Sequence, residues 1–168
     1  SVAYAAAQAL AHDWRLVTDT SWPGNEHTPG TVMQGYGVIA AEIAARMARP
    51  THIFIQAGVG GFAASIAGFF ALRFRSRRPR IIVVEPQRAA CLFASNRAGR
   101  RVSLQAGQPT IMAMLECHEP SYLAWQVLAR AADSFMTGEE EDARAAMRLQ
   151  ILRCRGNPLG LPFVQRRS

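Results

Sequence analysis

THIFIQ (51–56), AGVGG (57–61), FAASIAGFFALRF (62–74), RSRRP (75–79) and RIIVVE (80–85) follow one another without interruption, and their order decides the fold. The first is a short β-branched and aromatic run. The last is a near-continuous apolar run of the kind found in a parallel strand buried on both faces. With the small-residue helix between them they make a βαβ unit. Glycines stand directly ahead of that helix, so the unpaired N–H groups of its first turn open into the loop mouth. Glycine permits φ > 0 and lets an anion come close to backbone amides, which makes a phosphate the natural guest of Gly58, Val59, Gly60 and Gly61. The alternative is a tight strand-to-helix turn that binds nothing. The loop is not the dinucleotide fingerprint: counted from Gly58 the sixth position is Ala63, and Glu85 is the one acid near the spacing that fingerprint requires.

Working outward, residues 3–12 are alanine-rich and helical in propensity, and WRLVT (14–18) alternates like a short strand. DTSWPGNEHTPGT (19–31) has the composition of a loop. Over 32–48, Val38, Ile39, Ile43 and Met47 recur at helical spacing around Glu42 and Arg46, and Pro50 stops that helix. Downstream, 88–98 reads as a helix, 102–107 as an irregular crossing, and 121–132 as a helix packed through Leu123, Trp125 and Leu128. Residues 134–137 make a last strand, and EEEDARAAMRLQIL (139–152) is a helix with acids in its favoured first turn. The tail, 153–168, has Gly, Pro and Arg without periodicity and is expected to be a poorly ordered, divergent end to a single domain spanning 1–152. No internal repeat or low-complexity linker divides the chain.

With 168 residues and 49% hydrophobic content, the chain is long enough for one core and too apolar to be disordered. The formal charge of +7 raises the question of nucleic acid, but all nineteen basic residues are arginine and no aromatic platform is interleaved with them. That pattern reads as compositional bias, and no nucleic-acid partner is expected. Cys91, Cys117 and Cys154 lack any CxxC spacing, so neither a metal site nor a disulfide framework is expected, and a reducing cytoplasm fits. The apolar stretch 2–11 has no basic flank and contains Gln8, so it reads as a helix and not as a targeting segment. No apolar run reaches bilayer-spanning length, and no membrane partner is expected.

The run QGYGVIAAEIAARMARPTHIFIQAGVGGFAASIAGFFALRFRSRRPRIIVVEP (34–86) resembles the second half of fold-type II pyridoxal-phosphate enzymes. Within that group DTSWPG, VMQGY, QAGVGGFAAS, VVEP, PTIMAMLEC and EPSYLAW are most similar to the diaminopropionate ammonia-lyases, in order, over 3–152. The resemblance implies an α/β fold, a three-layer parallel sheet with helices on both faces like the tryptophan synthase β chain, present as an incomplete copy. It implies a lyase that turns 2,3-diaminopropionate into pyruvate and ammonia by α-proton removal and loss of the β-amino group, with pyridoxal 5'-phosphate as electron sink. Gly58, Val59, Gly60 and Gly61 match the family's phosphate loop. Asp19, in DTSW, matches an acidic active-site position and takes a proton-transfer or amine-binding role; on the residues alone, an aspartate that starts a turn is an equal reading. The implied substrate is a small amino acid, and the implied partner is a second copy, as a homodimer, or a missing N-terminal half.

Two departures matter. The Schiff-base lysine of such enzymes lies upstream of the matched part, and this sequence contains no lysine. Arginine is no substitute, since its guanidinium stays protonated and is no nucleophile at neutral pH. The family also continues past the last helix with a Ser/Gly-rich stretch near the cofactor's pyridine nitrogen, where this chain reads RCRGNPLGLPFVQRRS (153–168). The expectation is therefore a partial or degenerate ammonia-lyase, a truncated or decayed gene product that keeps the phosphate loop and is inactive alone.

Other candidates are weaker. His52 opens a strand and reads as a rim or core histidine. Cys117 and His118 are adjacent, but sequence neighbours need not face each other, and a buried structural cysteine is the plainer reading. RFRSRRPR (73–80) reads as the solvated end of a helix with its following loop, open to an acidic partner. The competing function is a non-catalytic interaction module that docks on a full-length relative. A third reading, a piece that barely folds, expects Ile53, Ile55 and Val83 to lose cover.

Overall fold

In the computed structural model the described residues are 2–155. Helix α1 (Val2–Ala11) leads into an extended segment and the long helix α2 (His27–Arg46). Strand β1 (His52–Gln56), helix α3 (Gly61–Phe74) and strand β2 (Arg80–Pro86) form the βαβ unit read from the sequence. Helix α4 (Cys91–Ala98), helix α5 (Tyr122–Ala131), strand β3 (Ser134–Gly138) and helix α6 (Glu140–Arg155) complete it. The three strands are parallel in the order β1-β2-β3, with Phe54 opposite Ile82, Ile82 opposite Ser134, and Val84 between Gln56 and Met136.

Parallel register and side-chain alternation put Ile53, Ile55, Ile81 and Val83 on one face, where Ala40 of α2, Ile66 and Phe70 of α3, Leu92 of α4 and Leu128 of α5 close over them. Small residues on α3, Ala63, Ala64 and Ala67, are fully or almost fully buried and let α2 and α5 pack against it from either side. Ile55 and Val83 are thus core residues, and the expectation that they would lose cover is corrected. The face that is only partly covered is the other one: Phe54 is 66% and Met136 42% exposed. An incomplete three-layer domain leaves such a face, and helices around a parallel sheet are the architecture expected.

Four local readings need correction. WRLVT forms no regular element and pairs with no strand among the described residues; Trp14 and Val17 are exposed, so alternation there reports no ladder. Helix α2 starts at His27, inside the segment read as loop, because Pro29 falls in its first turn, where a missing N–H costs no helical bond. That helix packs through Met33, Ala40, Ile43 and Ala44, while Val38, Ile39 and Met47 face outward. At the other end α6 runs to Arg155, three residues into the segment assigned to the tail; positions 156–168 lie outside the described residues, and so does the rest of that assignment. Among the described residues no helix is long and apolar enough to cross a membrane.

Candidate functional site

At the C-terminal end of β1 the chain passes through residues 57–61 into α3. Ala57 N–H donates to Val84 O at 3.0 Å, which pins the loop base to β2. The carbonyls of Gly58, Val59 and Gly60 are turned to protein donors. Gly58 O faces the Cys91 thiol at 3.7 Å, Val59 O accepts the Ser121 N–H at 2.9 Å, and Gly60 O accepts the Ala64 N–H at 2.8 Å. Gly60, the N-cap of α3, has φ +99° and supplies no side-chain cap. The first-turn amides of α3 therefore have no helical acceptor and no capping side chain, and a phosphate or carboxylate can satisfy them with the helix dipole behind it. Gly58 is tight as well: a Cβ there would sit 2.9 Å from Cys117 Sγ, which would have to turn aside, and 3.4 Å from Leu115 Cα.

The loop floors a cavity of about 340 Å³, within the range of small-molecule sites. Asp19 and Thr20 line it from the turn ahead of α2, Met33 and Tyr36 from α2 itself, and Met114, Leu115 and Cys117 from the segment before α5. Asp19 is exposed at the mouth, with Thr20 Oγ1 donating to Asp19 Oδ1 at 3.3 Å. All five residues singled out from the sequence, Asp19, Gly58, Val59, Gly60 and Gly61, meet around this one space. Among the described residues no arginine lines it, and what the loop offers an anion is backbone amides and a helix terminus.

Below the loop lies a polar group embedded in the core. Glu85, 2% exposed, accepts the N–H groups of Leu92 at 2.8 Å and Phe93 at 2.6 Å, capping α4 from the end of β2. Burial pushes its carboxyl up to about 7, against the pull of those two amides and of the Cys91 thiol. Burial, and then the charge of Glu85, push the Cys91 thiol far up, so it stays protonated and serves as a donor. The acid near the fingerprint spacing thus holds a helix and does not face the cavity.

Cys117 is the residue the sequence undervalued. It is half-buried, lines the cavity, and its thiol is pushed up by burial and by the charges of Asp19, Glu85 and Glu116, with the Val59 N–H opposing. Its motif, PTIMAMLEC, carried the signal, but only as a family match. His118 points elsewhere, toward Glu116 at 4.0 Å, and His52 is exposed on the rim of β1, bonded to Thr51. In the basic run, Arg78 grips Asp133 at 2.6 and 3.1 Å, and the other arginines of 73–80 are exposed.

The family model "Pyridoxal-phosphate dependent enzyme" matches residues 1–156. Diaminopropionate ammonia-lyase of Escherichia coli (strain K12) is 36% identical over 156 residues, which cover 90% of this chain and 38% of that protein. The crystal structure of that lyase in its holo form superposes with a TM-score of 0.76 at 33% identity, over 92% of this chain and 38% of the other. The same lyase in complex with D-serine gives 0.68 at 34% identity, over 77% and 33%. The processed form of threonine deaminase isoform 2 from Solanum lycopersicum, at 23% identity, shares the fold with a TM-score of 0.73 over 84% of this chain and 38% of that one. The chain thus spans less than two-fifths of the length of the diaminopropionate ammonia-lyases it is similar to.

Proposed function

Since the chain belongs to the family of pyridoxal-phosphate dependent enzymes, we propose that its cavity is the cofactor-phosphate side of a diaminopropionate ammonia-lyase type of site. The observation that carries this reading is the glycine loop, whose carbonyls are tied inward while the first turn of α3 is left uncapped. Gly58, Val59, Gly60 and Gly61 hold the phosphate through backbone amides. When bound, pyridoxal phosphate supplies an electron sink for a carbanion formed at the substrate's α-carbon. Asp19, across the cavity mouth, binds the amine of a small amino-acid substrate or moves a proton at its carboxylate. Met33 and Tyr36 wall the space and keep water from one side of it.

Covalent capture of the cofactor needs an amine side chain, and these 168 residues contain no lysine. Any Schiff-base lysine would have to come from residues outside them, and the chain alone is inactive. Pyridoxal phosphate added to the 168-residue chain is expected to bind reversibly and to be displaced by inorganic phosphate. Borohydride reduction and peptide mapping then find no pyridoxyl adduct between residues 19 and 123. Binding that inorganic phosphate does not displace would remove the loop from this role.

A second reading, a non-catalytic module that docks on a full-length relative, is favoured by the open sheet face around Phe54 and Met136. Either way the proposal places the protein in a reducing cytoplasm, where Cys91 and Cys117 stay free as they are here.

A further inference from the structure

Two serines a hundred residues apart bond to each other beneath the cavity, Ser21 at 2% exposure and Ser121 at 0%. The Ser21 N–H donates to Ser121 Oγ at 2.9 Å, and the two hydroxyls share a hydrogen bond at 2.7 Å. Ser21 Oγ accepts the Leu123 N–H at 2.8 Å, and Ser21 O accepts the Tyr122 N–H at 2.9 Å. Ser121 is the N-cap of α5, where a serine hydroxyl ordinarily serves its own helix, yet it makes no such bond. The cap on α5 comes from Ser21 instead, and the Ser121 hydroxyl is turned to the turn that carries Asp19. The Ser121 N–H, meanwhile, holds Val59 O of the glycine loop.

We propose that Ser21 and Ser121 are positioning residues, a buried hydroxyl clamp that fixes the Asp19 segment at a set separation from the glycine loop. Alanine at either position leaves a buried N–H without its acceptor, that of Leu123 or that of Ser21, so the turn drifts from the loop rather than staying in register. The catalytic weight of the clamp rests on the cofactor reading given above; the coupling it enforces does not.

Cys117 provides a probe that needs no ligand, because it abuts Gly58 and feels the charge of Asp19. In the 168-residue chain carrying C154S, iodoacetamide reports on Cys117, since Cys91 is fully buried. Asp19→Asn removes one nearby negative charge and is expected to speed alkylation at neutral pH about two- to threefold. In Ser21→Ala and in Ser121→Ala, each tested separately, the same D19N change is expected to have no effect, and Ser21→Thr, which keeps the hydroxyl, restores it. Should one alanine variant fail to fold, the other decides.

A purely structural pair would lower the thermal midpoint and leave the D19N effect intact in both alanine variants, and that result overturns the clamp. Protection of Cys117 by inorganic phosphate is read in the same samples. Coupling lost in the alanine variants without phosphate protection in the parent chain supports the clamp and sinks the cofactor reading. Phosphate protection with coupling intact in the alanine variants does the reverse.

Discussion

Gly60 sits where three side chains converge: a Cβ on it would lie 3.1 Å from Leu92 Cδ1, 3.2 Å from Leu128 Cδ1 and 3.3 Å from Ala124 Cβ. Its φ of +99° adds backbone strain to that crowding, so Gly60→Ala is expected to cost about 2 kcal/mol, read from the urea midpoint. Gly58 is constrained differently. A methyl there meets Cys117 Sγ, which can turn away, and Leu115 Cα, which cannot. Gly58→Ala is therefore expected to weaken pyridoxal phosphate binding roughly tenfold while moving the unfolding midpoint little, and Cys117→Ala recovers part of the loss. A G58A chain that binds as tightly as the parent would show that the loop's width is irrelevant to the ligand. The two glycines thus separate, one guarding the core and the other the cavity.

At the scale of elements, the junction of β2 with α4 carries a pH dependence. In the unfolded chain Glu85 titrates near the ordinary carboxylate value, and in the fold at about 7. Below the lower value both states are protonated. Between the two values the folded chain keeps a proton that the unfolded chain has released, so stability falls as pH rises through this window and levels off above it. Asp133, held low chiefly by its bonds to Arg78, works in the opposite sense: its contribution is present above the unfolded carboxylate value and is lost as pH falls through the folded one. Thermal midpoints recorded from about pH 4.5 to about pH 8 are expected to decline in the parent and to stay nearly flat in Glu85→Gln. An equal slope in both would mean that another group titrates. The βαβ unit was legible because each of its parts is a pure signal: β-branched runs, glycines, then small residues. Helix α2 was legible as a helix but not in its facing, since Val38 and Ile39 look like core until Ala40 and Ala44 are seen to let α3 come close. The loop was legible from its glycines ahead of a helix and Asp19 from motif order, whereas Cys117, Ser21 and Ser121 act through contacts made across the chain, which no local pattern encodes.

Across the whole molecule, burial is lopsided. One side of the sheet is sealed by α2, α3, α4 and α5, while the side bearing Phe54, Ile82, Val84 and Met136 is only partly covered. Contiguous apolar surface of this kind drives association. The chain is expected to self-associate with rising concentration in sedimentation runs, and Phe54→Ser with Met136→Ser is expected to reduce both that and any co-purification with a full-length relative. Unchanged sedimentation in the double variant would place the sticky surface elsewhere. The serine clamp has one more consequence, for how the molecule is made. Its two halves are separated by a hundred positions, so no early stretch of a growing polypeptide can finish the cavity by itself. On the ribosome the turn around Ser21 waits without its partner until α5 has emerged, and a chain released before that point leaves with the cavity still unfinished.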